Sequence, residues 1–209
     1  MDYAIFALLS YVLGSVPFGV LVARLHGIDL MAVGSGNTGA TNVTRALGWK
    51  LGLVVFVLDV AKGAVPPIVA FAVFQSETVA ILMGVAAVLG HTFSPFLKFR
   101  GGKGVATSLG VLFGSAPIVG AAVFGVFLVL FALTRIVSLS SLTGTACVII
   151  VGLLTHQGWV FFAVFGPLVL YVFVRHRDNI ARLIKGEEPR LDIKSKLKDR
   201  KKREDTNGD

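Results

Sequence analysis

Long apolar runs alternate with short polar links along this chain. The runs cover Tyr3–Ala23, Leu51–Phe74, Thr78–Phe93, Val105–Leu133, Val137–Thr155 and Trp159–Val174. About 20 apolar residues in a helix cross a hydrocarbon core about 30 Å thick. A membrane β-barrel would instead alternate apolar and polar residues. The pattern predicts an all-α polytopic membrane fold. The fourth run exceeds one span and contains Gly114-Ser115-Ala116-Pro117. Proline favours a helix break there. The run then divides into Lys103–Phe113 and Pro117–Leu133, and the spans number seven. The fourth would be about eleven residues, roughly 17 Å at 1.5 Å per residue. It calls for a thinned or protein-lined region.

Charge gives the spans a direction. The chain has a net charge of +8, with 15% charged residues and 55% apolar ones. Twelve basic residues lie between Arg175 and Arg203, and most others lie between the apolar runs. With seven spans, the links 27–50 and 94–103, Arg135 and everything after Arg175 share one face. The other face receives Asp2, Gln75-Ser76-Glu77, Ser115 and His156-Gln157, without Lys or Arg. With six spans the basic tail falls opposite the first two basic links. The positive-inside rule selects seven, with the N-terminus outside and the C-terminus cytoplasmic. It also accounts for the basic composition without nucleic acid. Residues 1–190 read as one membrane domain and 191–209 as a basic, disordered cytoplasmic tail able to touch anionic lipid heads.

Three cytoplasmic links carry more polar chemistry than a connection needs. The first is Gly34-Ser35-Gly36-Asn37-Thr38-Gly39-Ala40-Thr41-Asn42-Val43-Thr44-Arg45. It offers N–H and O–H donors and one cation, with no acid, which suits a phosphate. Its Gly-x-Gly-x-x-Gly spacing lacks the strand and βαβ unit that a dinucleotide fold requires. A helix starting near Thr41 would put Asn42 and Arg45 on one face. The second is Arg100-Gly101-Gly102-Lys103-Gly104, where glycine N–H groups, a lysine and a helix start make an anion nest. The third holds His176, Asn179 and Arg182 at three-residue spacing, on nearly one side of a helix. Glu188, beyond Gly186, is placed to anchor that segment to a basic loop.

Two charges sit inside an apolar run. Lys62 lies twelve residues beyond Lys50, roughly 18 Å along a helix. A lone charge at that depth costs at least about 2.5–3.5 kcal/mol, so Asp59, three residues earlier, reads as its structural partner. The single cysteine, Cys147, permits no internal disulfide. No metal-ligand spacing and no cofactor motif is present. A transporter of a phosphorylated solute would also need basic glycine loops, but nearer the membrane midplane.

The motifs Gly34-Ser35-Gly36-Asn37-x-Gly39-Ala40-Thr41-Asn42-x-x-Arg45, Gly101-Gly102-Lys103-Gly104-Val105-Ala106-Thr107, and His176-Arg177-x-Asn179-Ile180-x-Arg182-Leu183 with Gly186 and Glu188 form a set. In this order they resemble the three motifs of bacterial acyl-phosphate:glycerol-3-phosphate acyltransferases, the PlsY family. Val137–Ser141 is similar to a cytoplasmic turn of that family. The resemblance implies a seven-helix enzyme of the bacterial cytoplasmic membrane. It would move a fatty acyl group from acyl-phosphate to the 1-hydroxyl of glycerol 3-phosphate, giving lysophosphatidate and phosphate. Its partners would be those two substrates, membrane lipid and an enzyme that supplies acyl-phosphate. Ser35, Arg45, Lys103, His176 and Asn179 are the catalytic candidates. Gly36, Asn37, Thr41, Asn42, Gly101, Gly102, Gly104, Ser141, Arg182 and Gly186 are expected to bind substrate. Asp59, Lys62 and Glu188 are expected to support the site. The mixed anhydride is already activated, so no enzyme nucleophile is needed, and the proton goes to His176 or to the leaving phosphate.

Overall fold

The structure, a computed structural model, describes residues 2–191. Among them are ten α-helices, one short 3₁₀ turn and no strand. The helices are α1 (Tyr3–Ser15), α2 (Phe18–Leu25), α3 (Ala40–Leu47), α4 (Trp49–Phe74), α5 (Glu77–Thr92), α6 (Val105–Ser115), α7 (Pro117–Thr134), α8 (Val137–Leu154), α9 (Trp159–Arg175) and α10 (Arg177–Ile184). Five stretches are long and apolar enough to cross a membrane: Tyr3–Leu25, Trp49–Phe74, Glu77–Leu97, Pro117–Thr134 and Val137–Leu154. A sixth is α9 with α10, which bend by 60° at His176. The eleven-residue α6 is apolar but shorter than a usual span. The expected break in the fourth run falls between Ser115 and Pro117.

The first run differs from expectation. It is two helices, because Pro17 lacks an N–H and pushes the preceding residue out of the helical region. Val16 adopts φ −59°, ψ 117°. The break leaves the Val16 carbonyl inside the bundle, and Lys62 of α4 donates to it at 2.8 Å. The same Nζ lies 2.7 Å from Asp59 Oδ1. The expected pairing of Lys62 with Asp59 is therefore present, and its function includes capping a broken helix 46 residues away in sequence.

Small residues set the closest packing seams, as they do where lipid removes the drive to bury large side chains. Gly14 of α1 lies against the Ala87 backbone of α5, and Gly63 of α4 against Thr107 of α6. A core of Val111, Leu112, Val119, Val123, Phe161 and Phe165 joins α6, α7 and α9. A second cluster, Val20, Ala23, Leu30, Val43 and Val55, packs α2 and α3 on α4 beneath the opening loop. The basic tail expected from residue 191 lies outside the described residues, except for Leu191, whose N–H donates to Arg135 O at 2.8 Å.

Candidate active site

The opening loop is shaped from within by Asn42, which is 1% exposed in the first turns of α3. Its Nδ2 lies 3.0 Å from the carbonyls of Leu30, Val33 and Asn37, and its Oδ1 accepts the Ser35 N–H at 3.0 Å. Both ends of the amide are engaged. The expected substrate contact of Asn42 gives way to a loop-holding role, because buried backbone carbonyls need donors. Gly34 has φ +60°, and a Cβ there would collide with Asn42 Oδ1. Asn37 uses its Oδ1 on the Gly39 N–H at 3.0 Å. Ser35 and Gly36 occupy the outer side of this turn, Ser35 exposed and Gly36 half-buried. Thr41 and Arg45 are half-buried on α3.

The second loop departs from the nest expected of it. The Gly101 N–H donates to Thr92 O at 2.9 Å and the Gly102 N–H to His91 O at 3.3 Å. Two of the expected anion donors are thereby tied to the end of α5. These glycines serve close approach, since a Cβ on Gly102 would strike the His91 ring. Arg175 Nη2 holds the other side, donating to Gly101 O at 3.1 Å and Gly102 O at 3.4 Å. The remaining donors are Lys103 and the start of α6, where Gly104 is the N-cap at φ +82° without a side-chain cap. The first N–H groups of a helix have no internal partner.

The third segment closes on a carboxylate. Glu188 Oε1 accepts from Ser138 Oγ of α8 at 2.8 Å and from Asn179 Nδ2 at 2.6 Å. Arg182 Nε donates to Glu188 Oε2 at 2.7 Å. Burial by itself would raise the Glu188 carboxyl; the hydrogen bonds from Asn179, Ser138 and Arg182 outweigh it and hold the group below its ordinary value. Gly186, exposed at φ +72°, turns the chain after α10 so that Glu188 returns to Arg182. Gly186 thus forms a helix-end turn, with open space beside it. Asn179 turns its Oδ1 to Lys103 Nζ, joining the second and third segments. Ser138, one turn before the expected Ser141, makes the contact with Glu188; Ser141 is also buried.

His176 sits at the bend, 4% exposed. Its Nδ1 lies 2.8 Å from Val172 O, a carbonyl that only accepts, so Nδ1 carries the proton. Burial and the Lys103 charge push its pKa down to about 4. At neutral pH it presents an unprotonated Nε2. Lys103 is pushed down to about 8, first by burial and then by the nearby charges of Arg182, Arg175 and Arg45, against the pull of Glu188. Sequence reasoning missed Arg175 and Ser138. Arg175 lay in a basic stretch that membrane orientation already explained, and Ser138 was one of three serines in the same turn. Among the described residues no group of three or more His, Cys, Asp or Glu is placed to hold a metal ion.

Among the described residues, Lys103, Arg175, Arg182 and Arg45 therefore gather near Glu188 where apolar helices end, an arrangement suited to phosphate groups with an acyl chain beside them. The sequence profile described as Glycerol-3-phosphate acyltransferase matches residues 4–186. A glycerol-3-phosphate acyltransferase of Thermus thermophilus is 48% identical over 185 residues, covering 88% of this chain and 92% of that protein. That of Aquifex aeolicus is 47% identical over 188 residues, covering 87% and 95%. The crystal structure of PlsY (YgiH), an integral membrane glycerol 3-phosphate acyltransferase, in its glycerol 3-phosphate form, superposes with a TM-score of 0.88 at 41% identity, covering 93% and 98%. Its lysophosphatidic acid form gives 0.84 at 41% identity, covering 91% and 96%. The chain belongs to the glycerol-3-phosphate acyltransferase family of integral membrane enzymes.

Proposed function

We propose that this protein moves a fatty acyl group from acyl-phosphate to the 1-hydroxyl of sn-glycerol 3-phosphate, releasing lysophosphatidate and phosphate. The observation that carries this reading is the meeting of Lys103 with the third segment: it donates to Asn179, the charges of Arg175 and Arg182 reach it, and Glu188 is already engaged by Ser138, Asn179 and Arg182. Both substrates bring phosphate, the kind of group that such cations and N–H donors bind. The relatives solved with glycerol 3-phosphate and with lysophosphatidic acid support the acceptor and the product.

In this mechanism Arg45, Lys103 and the α6 N-terminus hold the two phosphates, with Ser35, Gly36, Asn37 and Thr41 of the opening loop and Ser141 of α8 beside them. Asn179 fixes Lys103, and Asn42 and Glu188 fix the loops. The acceptor hydroxyl forms the new bond to the acyl carbon. The bond from that carbon to the phosphate oxygen breaks, and phosphate leaves with the electron pair. Holding both reactants in line supplies much of the acceleration. A base is most effective with a pKa near the working pH. His176, held near pKa 4, is a weak one. The leaving phosphate takes the proton, while His176 Nε2 accepts a hydrogen bond and orients the hydroxyl.

The membrane arrangement that fits has seven spans, with α1 and α2 as one and α6 as the short fourth, the N-terminus outside and the site facing the cytoplasm. α6 packs against α4, α5 and α7, which gives it the protein surroundings a short span needs. The location is the bacterial cytoplasmic membrane, and the enzyme that makes acyl-phosphate is the natural protein partner. The test is product formation by purified protein given glycerol 3-phosphate with palmitoyl-phosphate or palmitoyl-CoA. Turnover with the acyl-phosphate alone is expected. Turnover only with the thioester would overturn the leaving-group account.

A further inference from the structure

A second polar cluster lies inside the bundle, behind the Gly101–Gly102 turn that Arg175 clamps. His91, 8% exposed at the end of α5, has Nδ1 3.8 Å from Asp59 Oδ1. Asp59 pairs with Lys62, which caps the broken first span at Val16 O. The cavity between Val16, Gly19, Thr38, Asp59, Lys62 and His91 is about 10 Å³, room for about one water. It cannot take a substrate, so these groups act on the protein.

The far edge of the His91 ring lies against Gly102 of the second loop, and His91 lines one small cavity with Thr38 of the opening loop. A Cβ built on Gly102 would strike His91 Nε2 and would also lie 3.1 Å from Thr38 Oγ1. Gly102 of the second loop and Thr38 of the opening loop therefore meet beside this ring. Each loop is pinned from behind as well. Thr38 O lies against Gly19 of α2, and the Gly102 N–H donates to His91 O. Ser94 Oγ, just past α5, donates to Ser15 O of α1 at 2.7 Å. The elements that could slide past one another converge near one buried imidazole, with the Asp59–Lys62 pair beside it.

We infer that His91, oriented by the Asp59–Lys62 pair, is a positioning residue that sets the register of the opening loop against the Gly101–Gly104 loop. Its work is to hold the two phosphate-binding segments at the separation the reaction needs. A group that tunes one loop changes the binding of one substrate. A group at the junction changes both, and changes kcat with them, because misplacement by about 1 Å can cost about 100-fold in rate. The inference rests on the acyl-transfer reading for the identity of the two ligands, and on geometry alone for the junction.

The experiment measures kcat and each substrate's KM for wild type, His91→Ala, His91→Gln, Thr38→Val and the double variant His91→Ala with Thr38→Val. Wild-type turnover with palmitoyl-phosphate decides the functional reading separately. The ratios of variant to wild type, taken on whichever donor turns over, decide the junction. Expected for His91→Ala are rises of about 10-fold in both KM values and a fall of similar size in kcat. His91→Gln, which keeps a polar group toward Gly102, restores most of the loss. The double variant loses less than the product of the single effects, as residues in contact do. Both KM values and kcat within twofold of wild type would overturn the inference, and so would a change confined to one substrate. If His91→Ala does not accumulate, Thr38→Val decides by the same criterion.

Discussion

Lys62 and Lys103 are both sheltered lysines of one small membrane protein, and they do opposite things. Lys62 is 3% exposed and has an acid at 2.7 Å and a carbonyl at 2.8 Å. Its charge is matched within the protein, and the cavity beside it is too small for a ligand. Lys103 is half-buried and donates to Asn179, an amide without charge. The carboxylate nearby is already shared with Ser138, Asn179 and Arg182. Three other cations press on it. A charge paired with its own acid in a low-dielectric setting holds structure, while one held only by an amide is suited to receive the anion that the proposed reaction brings.

The largest expected effect comes from erasing the Lys103 charge. Lys103→Met should lower kcat/KM by about 10²–10³-fold or more, as loss of one preorganised electrostatic contact does. The thermal midpoint should hold or rise, because the substitution relieves repulsion. A fall in the midpoint with activity kept would reverse the comparison. Erasing the matched charge should do the reverse. Lys62→Met leaves Asp59 buried without its partner and should destabilise by about 3–5 kcal/mol. Adding Asp59→Asn should recover part of that loss, though the Val16 carbonyl stays uncapped. Unfolding in mild detergent, read by intrinsic fluorescence, checks both.

Smaller effects sharpen the contrast. Glu188→Gln keeps the shape but removes the charge that Arg182 and the two hydrogen-bond donors share. Loss of about 10-fold in kcat/KM, with Asn179→Ala adding little on top, is expected of residues in one network. The pH dependence of Lys103 follows from its value near 8. Above pH 8 the free enzyme loses that proton, so kcat/KM should fall. Bound phosphate favours the charged form, so the fall in kcat should lie at higher pH. Stability moves the other way. The folded state binds fewer protons than the unfolded chain between pH 8 and the ordinary lysine value, so stability of the substrate-free enzyme should rise with pH across that window. The smallest effect is at His176. With a value near 4 it should contribute no inflection in kcat/KM between pH 5.5 and 7. His176→Gln should lower the rate and leave the profile's shape unchanged across that range. A bell whose acid limb near pH 6.5 vanishes in this variant would restore histidine as the base.

Most of the architecture was legible because membrane helices are announced locally. Apolar length marks a span, Pro117 marks the break between α6 and α7, and the start of α3 beside Thr41 follows from the glycines before it. The three motifs were legible for a similar reason: donors, glycines and cations without acids stand out between apolar runs. Pro17 carried the same kind of signal as Pro117 but lay in a run of ordinary span length, and the split between α1 and α2 was missed.

What the sequence by itself determined is the number and order of apolar runs, the membrane class, the gathering of basic residues between and after those runs, and the motif residues that mark the family. These depend on residue type and near neighbours. Only the tertiary structure decided how each polar group is used. Asn42 faces inward, because the loop folds around it and its carbonyls need donors. The N–H groups of Gly101 and Gly102 turn to α5, and Arg175 becomes their clamp. Glu188 selects Ser138 from 50 residues away, and Lys62 finds Val16 across 46. A hydrogen bond forms where a donor and an acceptor are brought within about 3 Å, and packing of distant helices sets that distance.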